Sequence, residues 1–160
     1  MPQTSYDLDL VRAVAGQIQE RYPGGLRGKY EASEELPVGR IVERHTDGKL
    51  RLPQGTTLGS VQGGVPYIAT KQTAPFGVND GPVPTLKKGQ EWIQYAGTAP
   101  TVEAACNVMH SSTTATDRGK VTGSATSATA GSEISALAGC RVLDVDTSLG
   151  LALIEFNLPA

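Results

Sequence analysis

The pattern of apolar and polar positions changes character near residue 25. From Ser5 to Tyr22 the spacing is typical of one helix face, with apolar side chains at Leu8, Val11, Val14, Ile18 and Tyr22. Acidic residues come early in this segment and Arg21 comes late, which suits the helix dipole. Pro-Gly-Gly at 23–25 ends the pattern, and Gly16 inside it disfavours a helix by about 1 kcal/mol relative to alanine. Local pattern therefore predicts a helix over Ser5–Tyr22.

After residue 25 short apolar runs alternate with turn residues, which is typical of β-strands. Segments 38–44 and 49–53 flank Asp47-Gly48 and predict a β-hairpin, because glycine supplies the positive φ of such a turn. Further strands are predicted at 56–62, 65–70, 91–97, 101–108, 139–146 and 151–158. Too little helical pattern remains for βαβ crossovers. We therefore expect a mostly β protein with a single antiparallel barrel-like or sandwich-like domain.

Two segments interrupt this pattern. Residues 71–85 contain three prolines and two glycines, so we expect a long excursion from the sheet and not a central strand. Residues 111–135 are dominated by Ser, Thr, Ala and Gly and have little apolar surface to bury. Both segments are candidate contact loops, and ordinary mobile loops are the alternative interpretation.

Composition narrows the classes of function. The chain has 160 residues, enough for one domain with a sizeable core, and its 19 glycines and 10 prolines suit short strands joined by turns. A net charge of −2 disfavours a nucleic-acid partner, since such binding relies on neutralising phosphates. No apolar run approaches the roughly 20 residues that span a bilayer, and the first residues lack signal-peptide features. We expect no membrane association and synthesis in the cytoplasm.

The residues that could carry metal chemistry are few. Cys106 and Cys140 are expected to be reduced and buried, because a chain that is not exported normally keeps its thiols reduced. A zinc site could be assembled from them with His45 and His110, but the short paired spacings of structural zinc sites are missing. We expect neither a metal nor a cofactor.

One motif suggests catalysis. Asp146 in "VDTSLG" resembles the Asp-Thr-Ser/Gly turn of aspartic proteases, yet the chain has no second copy to complete a carboxylate dyad. A turn aspartate between the last two strands is the favoured alternative. His45 and His110 are not accompanied by a nucleophile motif such as G-x-S-x-G. We therefore assign no catalytic residue and expect that the protein is not an enzyme.

The single tryptophan lies in the predicted strand 91–97. Strand alternation directs Glu91, Ile93 and Tyr95 to one face and Trp92 to the other, and both faces mix apolar with polar groups. Such a strand suits a sheet whose second face is covered by a loop, a neighbouring subunit or a partner. A packed or interfacial position for Trp92 is favoured over a small-molecule site.

The order of several short motifs resembles the structural cement, or head-decoration, proteins of tailed bacteriophages. That family has an "x-K-L-P" segment, a strand beginning Leu-Gly, a "K-x-G-x-x-W-V/I" strand, and a final apolar strand ending in "x-L-P". The corresponding segments are Leu50–Pro53, Leu58–Val61, Lys88–Ile93 and Gly150–Pro159. The resemblance covers roughly residues 36–160 and, more loosely, "AVAGQIQERYP" at residues 13–23. It implies a β-rich cement domain over residues 36–160, preceded by an N-terminal arm over 1–35 that leaves room for a short helix.

The resemblance also implies a function and its contact regions. Members assemble as homotrimers on the outer surface of the virion capsid and tie capsomers of the major capsid protein together, without enzyme activity, cofactor, nucleic acid or membrane. Candidate capsid-contact residues are Tyr6, Leu10, Tyr22, Phe76, Val78 and Val83. Candidates for the core or the trimer interface are Trp92, Ile93 and Tyr95. The alternatives are a virion-displayed host- or glycan-binding β-module that uses loops 71–85 and 111–135, and a hydrolase acting through Asp146.

Overall fold

The computed structural model describes residues 13–55, 58–67, 75–111, 115–125 and 133–159, which form two antiparallel β-sheets. In chain order the strands are β1 (Ile18–Arg21), β2 (Leu26–Glu31), β3 (Ile41–Arg44), β4 (Leu50–Arg51), β5 (Ser60–Gly64), β6 (Pro82–Leu86), β7 (Lys88–Gln94), β8 (Ala105–Ser111), β9 (Val121–Thr122), β10 (Glu133–Asp146) and β11 (Leu151–Asn157). A short 3-10 turn spans Ala115–Asp117. The mostly β, sandwich-like prediction is confirmed, and the sheets do not close into a barrel.

The chain passes between the two sheets at a corner where the β6–β7 connection lies beside the β1–β2 turn. The first sheet has the strand order β1-β7-β11-β10-β8-β9, and the second has the order β2-β6-β5-β3-β4. Lys87 alone separates β6 of the second sheet from β7 of the first. Within the first sheet β7 pairs with β11 over its whole length, with Trp92 opposite Leu153 and Ile93 opposite Ala152. The segment 88–94 is therefore held in the interior of a sheet.

Three apolar clusters stabilise this arrangement. The largest lies between the sheets, where Ile41 and Leu86 of the second sheet join Ile93, Ile154 and Phe156 of the first. A second cluster, which includes Leu36, Val42, Leu50, Val65 and Phe76, covers part of the other face of the second sheet. A third and smaller cluster contains Ala13, Trp92, Leu151 and Leu153. Removing these side chains from water is the main favourable contribution to folding.

The predicted hairpin is confirmed. Strand β3 pairs with β4, placing Arg44 opposite Leu50. Gly48 has a φ of 83°, which the side chains of other residues rarely allow. The backbone N–H of Lys49 donates to Asp47 Oδ1 at 2.8 Å. The Asp-Gly pair thus supplies both the backbone geometry and a capping acceptor for the turn.

The predicted helix over Ser5–Tyr22 is wrong for the part that the structure describes, residues 13–22. Val14 and Gln17 enclose a tight turn in which Gly16 has a φ of 78°, and β1 follows at Ile18–Arg21. The carbonyl of Trp92 accepts a 2.6 Å hydrogen bond from the Gly16 N–H, and β1 pairs with β7. Pairing with a distant strand overrides a local spacing that suits a helix. Residues 5–12 lie outside the described residues.

The expectation that residues 71–85 leave the sheet is wrong at their end. Residues 82–86 form β6, which lies between β2 and β5 in the second sheet. Pro82 and Pro84 are tolerated because β6 pairs with β5 only at Leu86, opposite Gly64. On that side most of β6 behaves as an edge, where the missing proline N–H is not needed. Residues 71–74 lie outside the described residues.

Other strand predictions differ mainly at their ends. The predicted strand 56–62 corresponds to β5, which begins at Ser60, and residues 65–67 of the predicted strand 65–70 are not in a strand. Strand β10 begins at Glu133, inside the segment for which we expected a loop. Strands β1 and β2 lie before residue 36, and each pairs with a strand that follows residue 36. The division into an arm over 1–35 and a domain over 36–160 stays a prediction. Among the described residues no helix is long and apolar enough to cross a membrane.

Candidate functional site

The candidate capsid-contact residues lie in different environments. Phe76 and Val83 are buried in the second apolar cluster, whereas Val78 is 43% exposed in the turn that follows Phe76. Tyr22 is half-buried, and its hydroxyl donates to Glu155 Oε1 at 2.8 Å. Tyr6 and Leu10 lie outside the described residues. For all six candidates, a contact with the capsid stays a prediction.

The second group of candidates belongs to β7 and its end. Ile93 is fully buried between the sheets, and Trp92 is buried on the opposite face of the first sheet against Ala13, Leu151 and Leu153. Tyr95 is half-buried beside the core between the sheets. The alternation predicted for this strand is confirmed, and a segment preceding β1 covers the Trp92 face. A trimer interface at these residues stays a prediction.

A polar group also lies on the outer face of the first sheet. Arg141 of β10 donates to Glu155 Oε2 at 2.5 Å and to Glu103 at 3.3 Å, and Tyr22 donates to the other oxygen of Glu155. The hydrogen bonds from Tyr22 and Arg141 lower the pKa of Glu155. These exposed contacts join β10 and β11 to the chain that follows β1, and exposed ion pairs of this kind contribute little to stability.

Glu91 of β7 is the most unusual polar residue of the core. It is fully buried, and neither of its carboxylate oxygens has a hydrogen-bond partner among the described residues. Burial raises the pKa of Glu91 well above its ordinary value, because the charged form is disfavoured away from water. The carboxyl group lies against Gly64 of β5, where an added Cβ would be 2.4 Å from Glu91 Oε2. Gly64 therefore makes room for a neutral carboxylic acid between the sheets.

Arg40 ties the two sheets and the segment before β9 together. Its side chain is buried, with Nε donating to Gln94 Oε1 at 3.3 Å and Nη1 donating to the Arg118 carbonyl at 2.8 Å. Gln94 Nε2 in turn donates to the Val38 carbonyl at 3.2 Å. Burial lowers the pKa of Arg40, and Asp117 partly opposes this effect. The network fixes backbone positions and uses neutral acceptors throughout.

A groove lined by positive side chains lies on the second sheet. Its volume is about 370 Å³, and its cationic lining residues are Arg27 and Lys29 of β2, Arg44 of β3, and Lys87 at the corner between the sheets. The remaining lining residues are uncharged. We name the groove, with both its cationic and its uncharged lining residues, the basic groove. The sequence does not reveal this groove, because its four cations come from three separate segments, although Arg27 and Lys29 flank Gly28 in a single alternating stretch.

The residues considered for catalysis make internal contacts. Asp146 Oδ1 accepts hydrogen bonds from Ser148 N at 3.1 Å, Ser148 Oγ at 2.6 Å and Leu149 N at 3.1 Å. This confirms the interpretation of Asp146 as a turn aspartate between β10 and β11. His110 is buried, with Nδ1 2.9 Å from the Gly55 carbonyl oxygen and Nε2 2.8 Å from Ser135 Oγ. Both ring nitrogens thus tie neighbouring segments together.

The two cysteines are free thiols on adjacent strands of the first sheet, and the expected burial is complete for Cys106 but not for Cys140. Cys106 of β8 is buried and Cys140 of β10 is half-buried. Burial raises the pKa of Cys140 to about 12 and raises that of Cys106 further. Thiols with raised pKa values are poor nucleophiles and poor metal ligands near neutral pH. Within the described residues no group of three or more His, Cys, Asp and Glu side chains is placed to hold a metal ion.

A comparison with known protein families gives a match over nearly the whole chain. The family described as "Structural cement protein (E217 gp24/Pam3 gp6)" matches residues 1–157. The chain belongs to the structural cement protein family. The match includes the N-terminal segment, which the motif resemblance covered only loosely at residues 13–23, and it confirms the resemblance to phage cement proteins.

A solved structure supports the same fold for this cement protein. A chain from "The capsid of Myoviridae Phage XM1" superposes with a TM-score of 0.70 and 15% sequence identity, covering 96% of this chain and 98% of that chain. At this identity the likeness establishes the fold. A comparison with curated proteins finds no match. Family membership supports a structural role at a phage capsid for this protein.

Proposed function

We propose that this cement protein binds the outer surface of a phage head as a homotrimer and stabilises contacts between capsomers of the major capsid protein. The single observation that carries the proposal is the family match over residues 1–157, and the phage-capsid fold of its structural neighbour agrees with it. In this role the protein is not an enzyme and works without a cofactor. It is made in the host cytoplasm and carried on the virion.

The proposed mechanism is multivalent bridging. Three linked copies that bind three equivalent sites gain avidity through effective concentration, so individually weak contacts can hold the lattice together. Isolated capsid subunits cannot present all three sites at once. The protein should therefore prefer the assembled lattice to free subunits.

The sandwich is suited to such a mechanical role. Its two sheets share one continuous apolar core, and buried polar groups such as Arg40 and His110 tie strands to loops. A rigid body transmits load between the surfaces that it binds without a change of its own shape. We infer that the contacts, and not a conformational change, provide the stabilisation.

Two measurements test the proposal. Native mass spectrometry and light scattering should give the mass of a trimer at micromolar concentration, and a monomer would overturn the trimeric form. Purified protein should also cosediment with assembled heads that lack it and leave free capsid subunits in the supernatant. Equal binding to heads and to free subunits would contradict cementing of the lattice.

A further inference from the structure

The basic groove concentrates positive charge on a chain whose formal net charge is −2. On β6, Leu86 faces the core between the sheets, so the neighbouring Thr85, which lines the groove, points to the opposite face. The groove therefore lies on the face of the second sheet that is turned away from the first. No carboxylate is among its described lining residues.

Three of the four cations of the groove contact neutral groups. The Arg44 guanidinium lies 4.6 Å from the centroid of the Tyr30 ring, and the Lys29 amine lies 5.5 Å from the same centroid. Lys87 Nζ donates to the Pro159 carbonyl at 3.2 Å. The ion pairs found between described residues use other cations, namely Arg51, Arg118, Lys120 and Arg141. Like charges gathered in this way repel one another, and a bound anion would relieve that repulsion.

The groove adjoins the outer edge of β2, which is not paired with another strand over Leu26–Glu31 among the described residues. Directly after β2, Ala32 bridges Leu50 of β4, so the unpaired stretch ends there. Strand β2, which supplies Arg27 and Lys29, is the terminal strand of the second sheet among the described residues. An edge strand presents unpaired N–H and C=O groups to any extended chain that lies beside it. A peptide segment can therefore make main-chain hydrogen bonds to β2 while its side chains reach the cations.

The same features disfavour nucleic acid. Single strands are held by stacking bases on aromatic rings. Tyr30, the one aromatic residue among the described lining residues, already has the Arg44 guanidinium over its ring. The groove is also short, with four cations on an otherwise acidic chain, so it cannot follow a long run of phosphates. Carboxylates match arginine well, because one carboxylate can accept two parallel N–H donors.

We propose that the basic groove is the docking site for an extended, carboxylate-rich polypeptide segment. This rests on the proposed function in one respect, namely that the segment would then belong to the major capsid protein. Arg27 and Lys29 would bind its carboxylates at the edge of the sheet, while Arg44 would bind them inside the groove. Ser60 and Gln62 of β5 would supply uncharged polar contacts.

The test compares Arg27→Glu with Arg21→Glu. Both residues are exposed and lie on strands at sheet edges, but Arg21 belongs to β1 of the first sheet and does not line the groove. Binding to undecorated heads is measured by cosedimentation. We expect Arg27→Glu to weaken it by about 10-fold or more, since reversing one charge of a complementary contact introduces repulsion. Arg21→Glu should stay within about 2-fold of the wild type, and equal binding by the two variants would overturn the proposal.

A second readout does not depend on heads. Fluorescence anisotropy with a labelled deca-glutamate peptide should show binding that falls with added NaCl and is lost in Arg27→Glu, with a deca-glutamine peptide as the neutral control. If the wild type binds this peptide but not heads, the docking chemistry stands and the proposed function fails. If it does not bind the peptide, or binds a single-stranded DNA of equal charge more tightly, the groove proposal is wrong. Unchanged circular dichroism and thermal unfolding confirm that both variants fold.

Discussion

Glu43 of β3 and Glu91 of β7 are both buried glutamates, one in each sheet, and their surroundings are opposite. Glu43 accepts a 2.8 Å hydrogen bond from Arg51 Nε and a 2.7 Å hydrogen bond from the Gly59 N–H. Glu91 has no partner among the described residues, and its carboxyl group lies against Gly64. The two carboxyl groups therefore differ in the hydrogen-bond donors around them and not in their burial. Glu43 connects the hairpin, through Arg51, to Gly59 just before β5. Glu91 fills space between the sheets.

The largest expected loss of stability comes from removing the carboxyl group of Glu43, which has hydrogen-bond partners. Glu43→Ala should lower the free energy of unfolding by about 2–4 kcal/mol, because it leaves Arg51 and the Gly59 N–H without their acceptor. The value is below that of a fully buried pair because Arg51 is 21% exposed. Urea unfolding measures it, with the exposed Glu35→Ala as the control, expected within about 0.5 kcal/mol of the wild type. Equal losses in the two variants would show that the Glu43 contacts do not stabilise the fold.

A smaller effect is expected where Glu91 meets the second sheet. Gly64→Ala places a methyl group 2.4 Å from Glu91 Oε2 and 2.7 Å from its carboxyl carbon, so the side chain must shift. We expect a loss of about 1–3 kcal/mol, as for other overpacked cores. The matched control is Gly28→Ala in β2, where nothing lies within 4 Å of the added Cβ. If both variants unfold at the same urea concentration, the carboxyl group is not packed against Gly64.

The smallest expected change in the free energy of unfolding comes from Glu91→Gln. This substitution removes the titratable group and leaves the shape of the side chain nearly constant. Since the folded-state pKa of Glu91 is raised above 4.5, the folded protein retains a proton that the unfolded chain releases. The stabilising contribution of the neutral acid is complete below pH 4.5 and is lost as the pH rises through the raised folded pKa. Glu91→Gln should therefore be more stable than the wild type at pH 8 by about 1–2 kcal/mol, and the two should converge near pH 4.

Urea unfolding of the wild type and Glu91→Gln across this pH range provides the measurement. Two parallel stability curves would mean that Glu91 does not change its protonation on folding. A wild type that gains stability with rising pH relative to the variant would mean that Glu91 is charged and has a partner in the folded protein.

Much of the fold could be predicted where local chemistry determines it. The Asp47-Gly48 turn demands a positive φ at its glycine, and the hairpin follows from that demand. The alternation of Glu91, Trp92 and Ile93 correctly separated the two faces of β7. The sequence also indicated Asp146 as a turn residue, because its side chain caps the turn that it begins.

The sequence-based predictions were wrong where pairing with a distant strand determines the local structure. The spacing of Val14 and Ile18 suits a helix, but pairing with β7 holds this segment as a turn and a strand. Pro82 and Pro84 argued against a strand, and only the three-dimensional pairing reveals that β5 contacts β6 at a single position. The basic groove combines β2, β3 and the corner at Lys87, so no single stretch of sequence could show it. Family resemblance indicated the role but not the face that would carry it.

A cryo-EM map of undecorated heads incubated with the purified protein would show whether the protein binds the outside of a phage capsid and joins its capsomers. We expect added density outside the shell with three-fold symmetry, bridging neighbouring capsomers and fitting the two-sheet fold. We also expect the second sheet and its basic groove to face the major capsid protein. Heads without added density, or density attached to a single capsomer without bridging, would mean that the protein does not cement the capsid.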